Sequence, residues 1–377
     1  MREIQSAEAV CQGHPDKIAD QISDAILDEL IKKDPYAKTA IETLITTGVI
    51  YVSGEISTDS YVDIPNIARN VLIDIGYIKP EYGFDGYTAG VITSINDQSP
   101  EISMGIPLGK AGDTSIVVGY ATNETKNYMP IACNIANSIV KRIDTLRKED
   151  IVDFFRPDGK AIAVVEYEDG QPKRVDSLTV LVQHEPYVSE KQLKEAIIEE
   201  VIKKEVPENL IDDKTKIIIN PLGRFIIGGP MADTGLTGRK TIADAYGTAV
   251  PSGGSAFSGK DPTKIDRSAS YMTRYIAKHI VASGICNKCK IELVYIIGMD
   301  YPISIDVKID NKDIDKENLI KKIEEIFDLS PAGIIENLKL RKPIYKKSSI
   351  YGHFGKEDEE FEWEQLNKNI LEGLKNV

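Results

Sequence analysis

Three short stretches concentrate residue types that handle anions and cations. Gly13-His14-Pro15-Asp16-Lys17 sets an imidazole, a carboxylate and an amine side by side. Pro15 suits the first turn of a helix, where its missing N–H costs nothing. The free N–H groups and dipole of a helix start favour an anion. A carboxylate such as Asp16 can hold Mg²⁺ against phosphate oxygens. Ordinary capping by Asp and Pro also explains these residues. The second stretch, Gly235-Leu236-Thr237-Gly238-Arg239-Lys240 with Asp233 just before it, suits a phosphate cradle. It lacks the Walker A spacing, and a solvated basic turn is the plain alternative. The third runs from Gly253 to Lys260 and Asp261, with Lys264 and Asp266 following. Lysines and carboxylates beside glycines suit phosphate and metal together, or a solvated charged loop.

Other candidates are weaker. Glu42 and Glu55 lie in apolar strand-like runs. A buried carboxylate is costly unless paired or bound to a cation, but both can also face solvent on an antiparallel sheet. His184, His279 and His353 have no ligand-like spacing and read as structural. Cys286 and Cys289 form a lone CxxC. A zinc site needs two more ligands, and neither Cys11 nor Cys133 supplies a matching spacing, so the pair reads as small residues entering a strand.

Periodicity places these residues on elements. Ile18, Ile22, Ile26 and Leu30 recur every four residues, with Asp20, Asp24 and Asp28 on another face, which predicts an amphipathic helix from Pro15 to about Lys33. Runs 39–47 and 49–57, broken at Gly48, predict a hairpin. Segment 64–76 reads as a helix, 97–113 as a mobile loop, 115–120 as a strand and 129–148 as a helix. A charged, turn-rich patch covers 156–160. Strands follow at 161–167 and 177–185, then a helix at 190–204. Residues 216–220 read as a buried-type strand, continued by 224–227. Glycines crowd 228–259, where backbone N–H groups can approach a ligand. Ser268 is placed to cap a helix ending at Gly284, followed by a strand at 291–297 and a helix at 316–327. Hairpin-plus-helix groups favour layered α+β domains over a doubly wound sheet.

Bulk properties narrow the function. A chain of 377 residues suggests two or three domains. With 42% hydrophobic and 28% charged residues it is globular. A net charge of −13 disfavours general nucleic-acid binding. No apolar run is long enough to span a membrane, and the first residues lack the apolar core of a signal peptide, so a cytoplasmic location is expected.

The motifs, taken together, resemble the S-adenosylmethionine synthetase (methionine adenosyltransferase) family. The matching stretches are GHPDKIADQISDAILD (13–28), TGVIYVSGEI (47–56), GYATNET (119–125), INPLGRFIIGGPMADTGLTGRK (219–240), GGSAFSGKDPTKIDRSA (253–269) and YGHFG (351–355), in order along nearly the whole chain. The resemblance implies an α+β fold of three similar sheet-plus-helix domains with pseudo-threefold symmetry. In sequence order these would be 1–100, 110–227 and 228–377, with interleaving between them allowed. It implies homodimers or homotetramers with active sites between subunits, ATP and L-methionine as substrates, and Mg²⁺ (about two per site) and K⁺ as cofactors.

Roles come over by position. His14 would stabilise charge on the departing triphosphate, and Asp16 and Asp266 would bind Mg²⁺. Glu42 would hold K⁺, and Glu55 and Gln98 would grip the methionine head. Lys160, Arg239, Lys240, Lys260 and Lys264 would neutralise the triphosphate, with Lys264 also near methionine. Asp158, Arg224, Phe225 and Ala256 would line the nucleotide pocket, Asp233 would touch both substrates, and Asp113 would help retain substrate. Methionine sulfur needs no general base. The leaving tripolyphosphate carries about four negative charges, which preorganised cations address. Such enzymes then hydrolyse it to phosphate and pyrophosphate. The sequence departs from the family pattern at Cys11-Gln12, at Ser255 and in a shortened loop 97–113. Two alternatives stand beside this reading: a non-catalytic partner subunit, which the retained His14, Lys160 and Asp266 count against, and an enzyme acting mainly as a tripolyphosphatase or on a methionine analogue, which the loop departures leave open.

Overall fold

The computed structural model describes residues 2–97, 109–253, 256–358 and 360–375. Elements run β1 (Arg2–Val10), α1 (Pro15–Lys33), β2 (Lys38–Thr46), β3 (Val49–Ser57), α2 (Ile64–Ile75), β4 (Gly90–Asn96), β5 (Ser115–Thr122) and α3 (Ile131–Lys148). After these come β6 (Phe155–Glu168), β7 (Gln171–His184), α4 (Glu190–Ala196, continued by a π-helical turn Ile197–Ile202), β8 (Lys216–Ile219), β9 (Gly235–Leu236) and α5 (Thr241–Asp244). The chain ends with α6 (Ile265–Ala282), β10 (Lys288–Tyr295), β11 (Ser304–Ile309), α7 (Lys316–Ile326), α8 (Pro331–Asn337), α9 (Tyr345–Ser348) and α10 (Lys368–Leu374).

Strands gather in three sheets, ordered β4-β3-β2-β9, β1-β6-β7-β8 and β11-β10-β5. Each sheet carries helices, so the expected α+β architecture of three sheet-plus-helix units holds. The sheets exchange strands along the chain. β1 pairs antiparallel with β6, β5 pairs with β10, and β9 joins the edge of β2. One core gathers Ile18, Ile22, Ile26 and Leu30 of α1 against Ile41, Ile45, Ile50 and Val52 of the first hairpin. A larger core joins the other two sheets through α3 and α6.

Both faces of α1 are buried, which corrects the amphipathic reading. Asp20 and Asp24 are fully buried and Asp28 nearly so. They survive there because each carboxylate accepts from backbone N–H groups of later segments. Gly238 donates to Asp20, Gly259 to Asp24, and Tyr345 and Lys346 to Asp28. Buried charge is tolerated when so paired.

Further corrections concern segment boundaries. The 156–160 patch is the start of β6, with Arg156 and Asp158 buried, and a register shift between Phe155 and Gly159 produces the turn-like composition. Ile217 and Ile218 of β8 are exposed rather than buried, and 224–227 forms no strand. Ser268 sits inside α6, its hydroxyl bonding back to the Lys264 carbonyl, and the helix starts at Ile265. Cys286 and Cys289 are both buried and free, and burial pushes the Cys289 thiol up.

The C-terminal segment is fastened onto α6. Glu364 accepts from Arg274 (3.0 Å) and Lys278 (2.8 Å), and Trp363 stacks on Tyr271 at 4.0 Å. His279 joins the same seam. The Asn367 N–H donates to its Nε2 (2.8 Å), so its Nδ1–H donates to the Tyr275 carbonyl. Burial lowers this imidazole to about 4. Between pH 6.5 and 4 the unfolded chain therefore takes up a proton that the folded chain refuses, and stability falls with pH. His279→Gln should flatten that loss by about 3 kcal/mol over the window, measured as melting temperature against pH beside the parent. Parallel curves for the two proteins would refute this.

Candidate active site

Helix α1 starts at the chemistry. His14 is its N-cap, and the Asp16 N–H donates to His14 Nδ1 at 3.2 Å. Nδ1 is thus the acceptor, which leaves the proton on Nε2 to donate outward. Burial, then Lys240, lower the His14 imidazole to about 3, so it is neutral here. A Cβ on Gly13 would meet the Pro157 carbonyl oxygen at 2.4 Å, so only glycine lets this turn lie against β6.

Around that turn the structure gathers a first group. Asp16 accepts from the Leu236 N–H (3.0 Å) and pairs with Lys240 at 2.5 Å. Asp16 is held below the usual carboxylate range: burial acts upward, but the Lys240 and Leu236 hydrogen bonds outweigh it. Lys160, on β6, is a charge neighbour of His14 and pairs with Glu8 of β1. Asp158 accepts from the Gly229 N–H (2.8 Å), and burial raises its carboxyl to about 6, with Asp233 adding to the rise. Arg239 and Asp233 are exposed beside them. Arg224 and Phe225 lie on the rim, Arg224 donating to the Pro186 carbonyl and the Phe225 N–H to His184.

A second group forms at the start of α6. Lys260 pairs with Asp266 at 2.6 Å and Lys264 with Asp261 at 2.5 Å. Asp261 also accepts from the Thr39 N–H (2.7 Å), which ties this loop to β2. Gly259 has φ +82°, and a Cβ there would lie 2.0 Å from the Ile41 carbonyl oxygen. Glu42 belongs here. Partial desolvation raises its carboxyl, with Lys260 opposing and Glu55 adding. Asp113 lies next to Gly112, whose Cβ would contact the Thr263 carbonyl oxygen at 3.0 Å. Ala256 lies against Gly238, on the back of the first group's loop. Gln98, Gly254 and Ser255 lie outside the described residues.

The two groups meet β2 at different points on one edge. β9 joins it at Leu44 and Ile45, and Lys260 bridges Ala40. Four residues of strand separate these points, about 13 Å. Sequence reasoning passed over Asp244 and Arg267 and did not see that Lys17, Asp20 and Asp24 hold the loops. The signal was present in the i+4 spacing of Asp16, Asp20, Asp24 and Asp28.

Cations paired to carboxylates suit a strongly anionic ligand that would displace those pairings. Among the described residues no group of three or more His, Cys, Asp or Glu could hold a metal by itself. Isolated carboxylates still fit Mg²⁺, which is usually held by one or two of them plus substrate phosphates. Such a site on this α+β fold suits a polyphosphate-bearing ligand. Sequence comparison specifies further. Family profiles match residues 2–100 (S-adenosylmethionine synthetase, N-terminal domain), 109–225 (central domain) and 227–365 (C-terminal domain). Chains named S-adenosylmethionine synthase include one from Aquifex aeolicus (strain VF5), 54% identical with 100% of both chains covered. Others are from Petrotoga mobilis, 50% identical with 96% of each covered, and Clostridium tetani, 47% identical with 100% of each covered. The chain belongs to the S-adenosylmethionine synthetase family.

Proposed function

We infer that this chain is an ATP:L-methionine S-adenosyltransferase, in which methionine sulfur attacks C5′ of ATP and tripolyphosphate leaves. The observation that carries the inference is the cluster of His14, Asp16, Lys160 and Lys240 at the start of a buried helix, on a chain of this family. The sulfur–C5′ bond forms as the C5′–O bond breaks, and the electron pair goes to the triphosphate oxygen. His14 Nε2–H donates toward that oxygen, and Lys160, Arg239 and Lys240 neutralise the phosphates. Lys260 and Lys264 add charge from the second group. Asp158, Arg224, Phe225, Asp233 and Ala256 would shape the nucleotide pocket, and Glu55, Asp113 and Gln98 would hold methionine. Bound Mg²⁺ would screen phosphate charge. Asp16 and Asp266 are its best-suited holders, and Glu42 suits K⁺. The leaving tripolyphosphate is then hydrolysed to phosphate and pyrophosphate.

We further propose that a second copy completes the site and that the three domains are built on segments 1–100, 110–227 and 228–377 with strands interleaved between them. The separation of the two groups along β2 supports a shared site. So do the apolar side chains each sheet exposes: Tyr51 beside Ile92, Ile217 and Ile218, and Ile116. No described helix is long and apolar enough to cross a membrane.

The test incubates purified protein with ATP, Mg²⁺ and K⁺, with and without L-methionine, and follows S-adenosylmethionine and phosphate together. Methionine-dependent product with matching phosphate and pyrophosphate is expected. Phosphate release without S-adenosylmethionine would replace this function by a phosphohydrolase.

A further inference from the structure

The segment that presents Arg239 and Lys240 is fastened at both ends to one turn of α1. At its start, the Gly238 N–H donates to Asp20 Oδ1 at 2.8 Å. At its end, Lys17 Nζ donates to Asp244 Oδ1 at 2.6 Å. Lys17 also donates to Asp20 Oδ2 at 2.6 Å, which closes a triad Asp20–Lys17–Asp244. Lys17 and Asp20 lie three residues apart on one helix face. All three side chains are buried, with relative exposures of 0% (Asp20), 1% (Lys17) and 3% (Asp244).

Burying three charges needs strong mutual compensation, and a hydrophobic trio of similar volume would often stabilise as well. Stability alone therefore explains the triad poorly, and its geometry suggests another role. Its two attachments bracket the cationic pair. Gly238 also has φ +79°, and a Cβ there would meet Ala256 Cβ at 2.5 Å, so only glycine lets the segment pass this close to the second glycine loop. The triad stops the segment lifting from α1. Lys240 then reaches Asp16, two residues from His14.

We propose that the Asp20–Lys17–Asp244 triad is a positioning clamp that fixes Arg239 and Lys240 against His14 and so sets how tightly the polyphosphate of ATP is held. This rests on the adenosyltransferase reading of the site. None of the three touches substrate in this scheme, so they are positioning residues. A loop displaced by an ångström weakens aligned charge contacts severely.

The test compares Asp20→Ala and Asp20→Asn with the parent in the full chain. Asparagine keeps an oxygen for the Gly238 N–H, and Lys17 keeps Asp244; alanine removes the clasp. The readouts are KM for ATP, KM for methionine, and the affinity for inorganic tripolyphosphate by calorimetry, with melting temperature as control. Asp20→Ala should raise the ATP KM and weaken tripolyphosphate binding by about tenfold or more, with the methionine KM within about twofold, and Asp20→Asn should recover most of the difference. A lower melting temperature with unchanged ATP and tripolyphosphate affinities would make the triad merely structural and overturn the proposal. If Asp20→Ala does not fold, Asp244→Ala decides on the same readouts. A parent protein that makes no S-adenosylmethionine defeats the functional reading. Tripolyphosphate affinity still judges the clamp in that case, and equal values in parent and variant would refute it.

Discussion

His14→Ala is expected to lower kcat for S-adenosylmethionine formation by about 10²–10³, the usual cost of deleting one preorganised donor at a developing oxyanion. The Asp16 N–H occupies Nδ1, so the outward nitrogen carries the proton. The ring is neutral before ligand arrives, since burial and Lys240 both disfavour its charge. A neutral N–H donor gains most where negative charge grows, at the bridging oxygen as it leaves C5′. It would gain less from ground-state ATP, whose phosphates the proposed lysines would already meet. The loss should therefore fall on kcat, with the ATP KM changing only a few-fold. His14→Gln retains a donor amide and should recover part of the rate. Steady-state kinetics with product measured by mass spectrometry separates these cases, and an alanine variant within about threefold of the parent rate would remove His14 from the chemistry.

Local rules identified the longer helices and the first hairpin because those segments obey them. α1 has an every-fourth apolar pattern and Pro15, and α2 ends at Gly76 with φ 112°. Rules failed where tertiary contacts override local preference. The N-cap of α6 is Lys264, a poor capping residue whose side chain goes to Asp261, so Ser268 looked like the better cap. Conflicts of this kind are expected at functional positions. β1 was missed because Gln5, Ala7 and Ala9, its buried face, are weak strand formers, and only pairing with β6 makes them a strand. The charged candidates could be named from sequence. Their division into two groups could not, because it depends on where two loops meet β2.

Arg267→Ala should be among the most damaging single changes away from the reacting atoms, costing about 3–5 kcal/mol. Arg267 is fully buried and grips Asp24 through both Nη atoms, at 2.7 and 2.8 Å. Its Nε donates to the Tyr271 hydroxyl, its Nη1 also to the Lys260 carbonyl, and its guanidinium lies 4.2 Å from the Tyr345 ring centroid. Asp24 in turn accepts from the Gly259 N–H. The pair thus joins α1, α6 and the second glycine loop at one point. Alanine would strand a buried carboxylate, and the removed side chain would leave Tyr345 and Tyr271 facing a void. The same logic separates the charge from the packing. Arg267→Met strands Asp24 as well, but adding Asp24→Asn removes the stranded charge, so the double variant should melt above Arg267→Met alone. Melting temperatures at one fixed protein concentration suit a chain proposed to oligomerise. If Arg267→Ala melts within a few degrees of the parent, the ion pair is not what holds these three elements together, and the frame would have to come from the apolar face of α1.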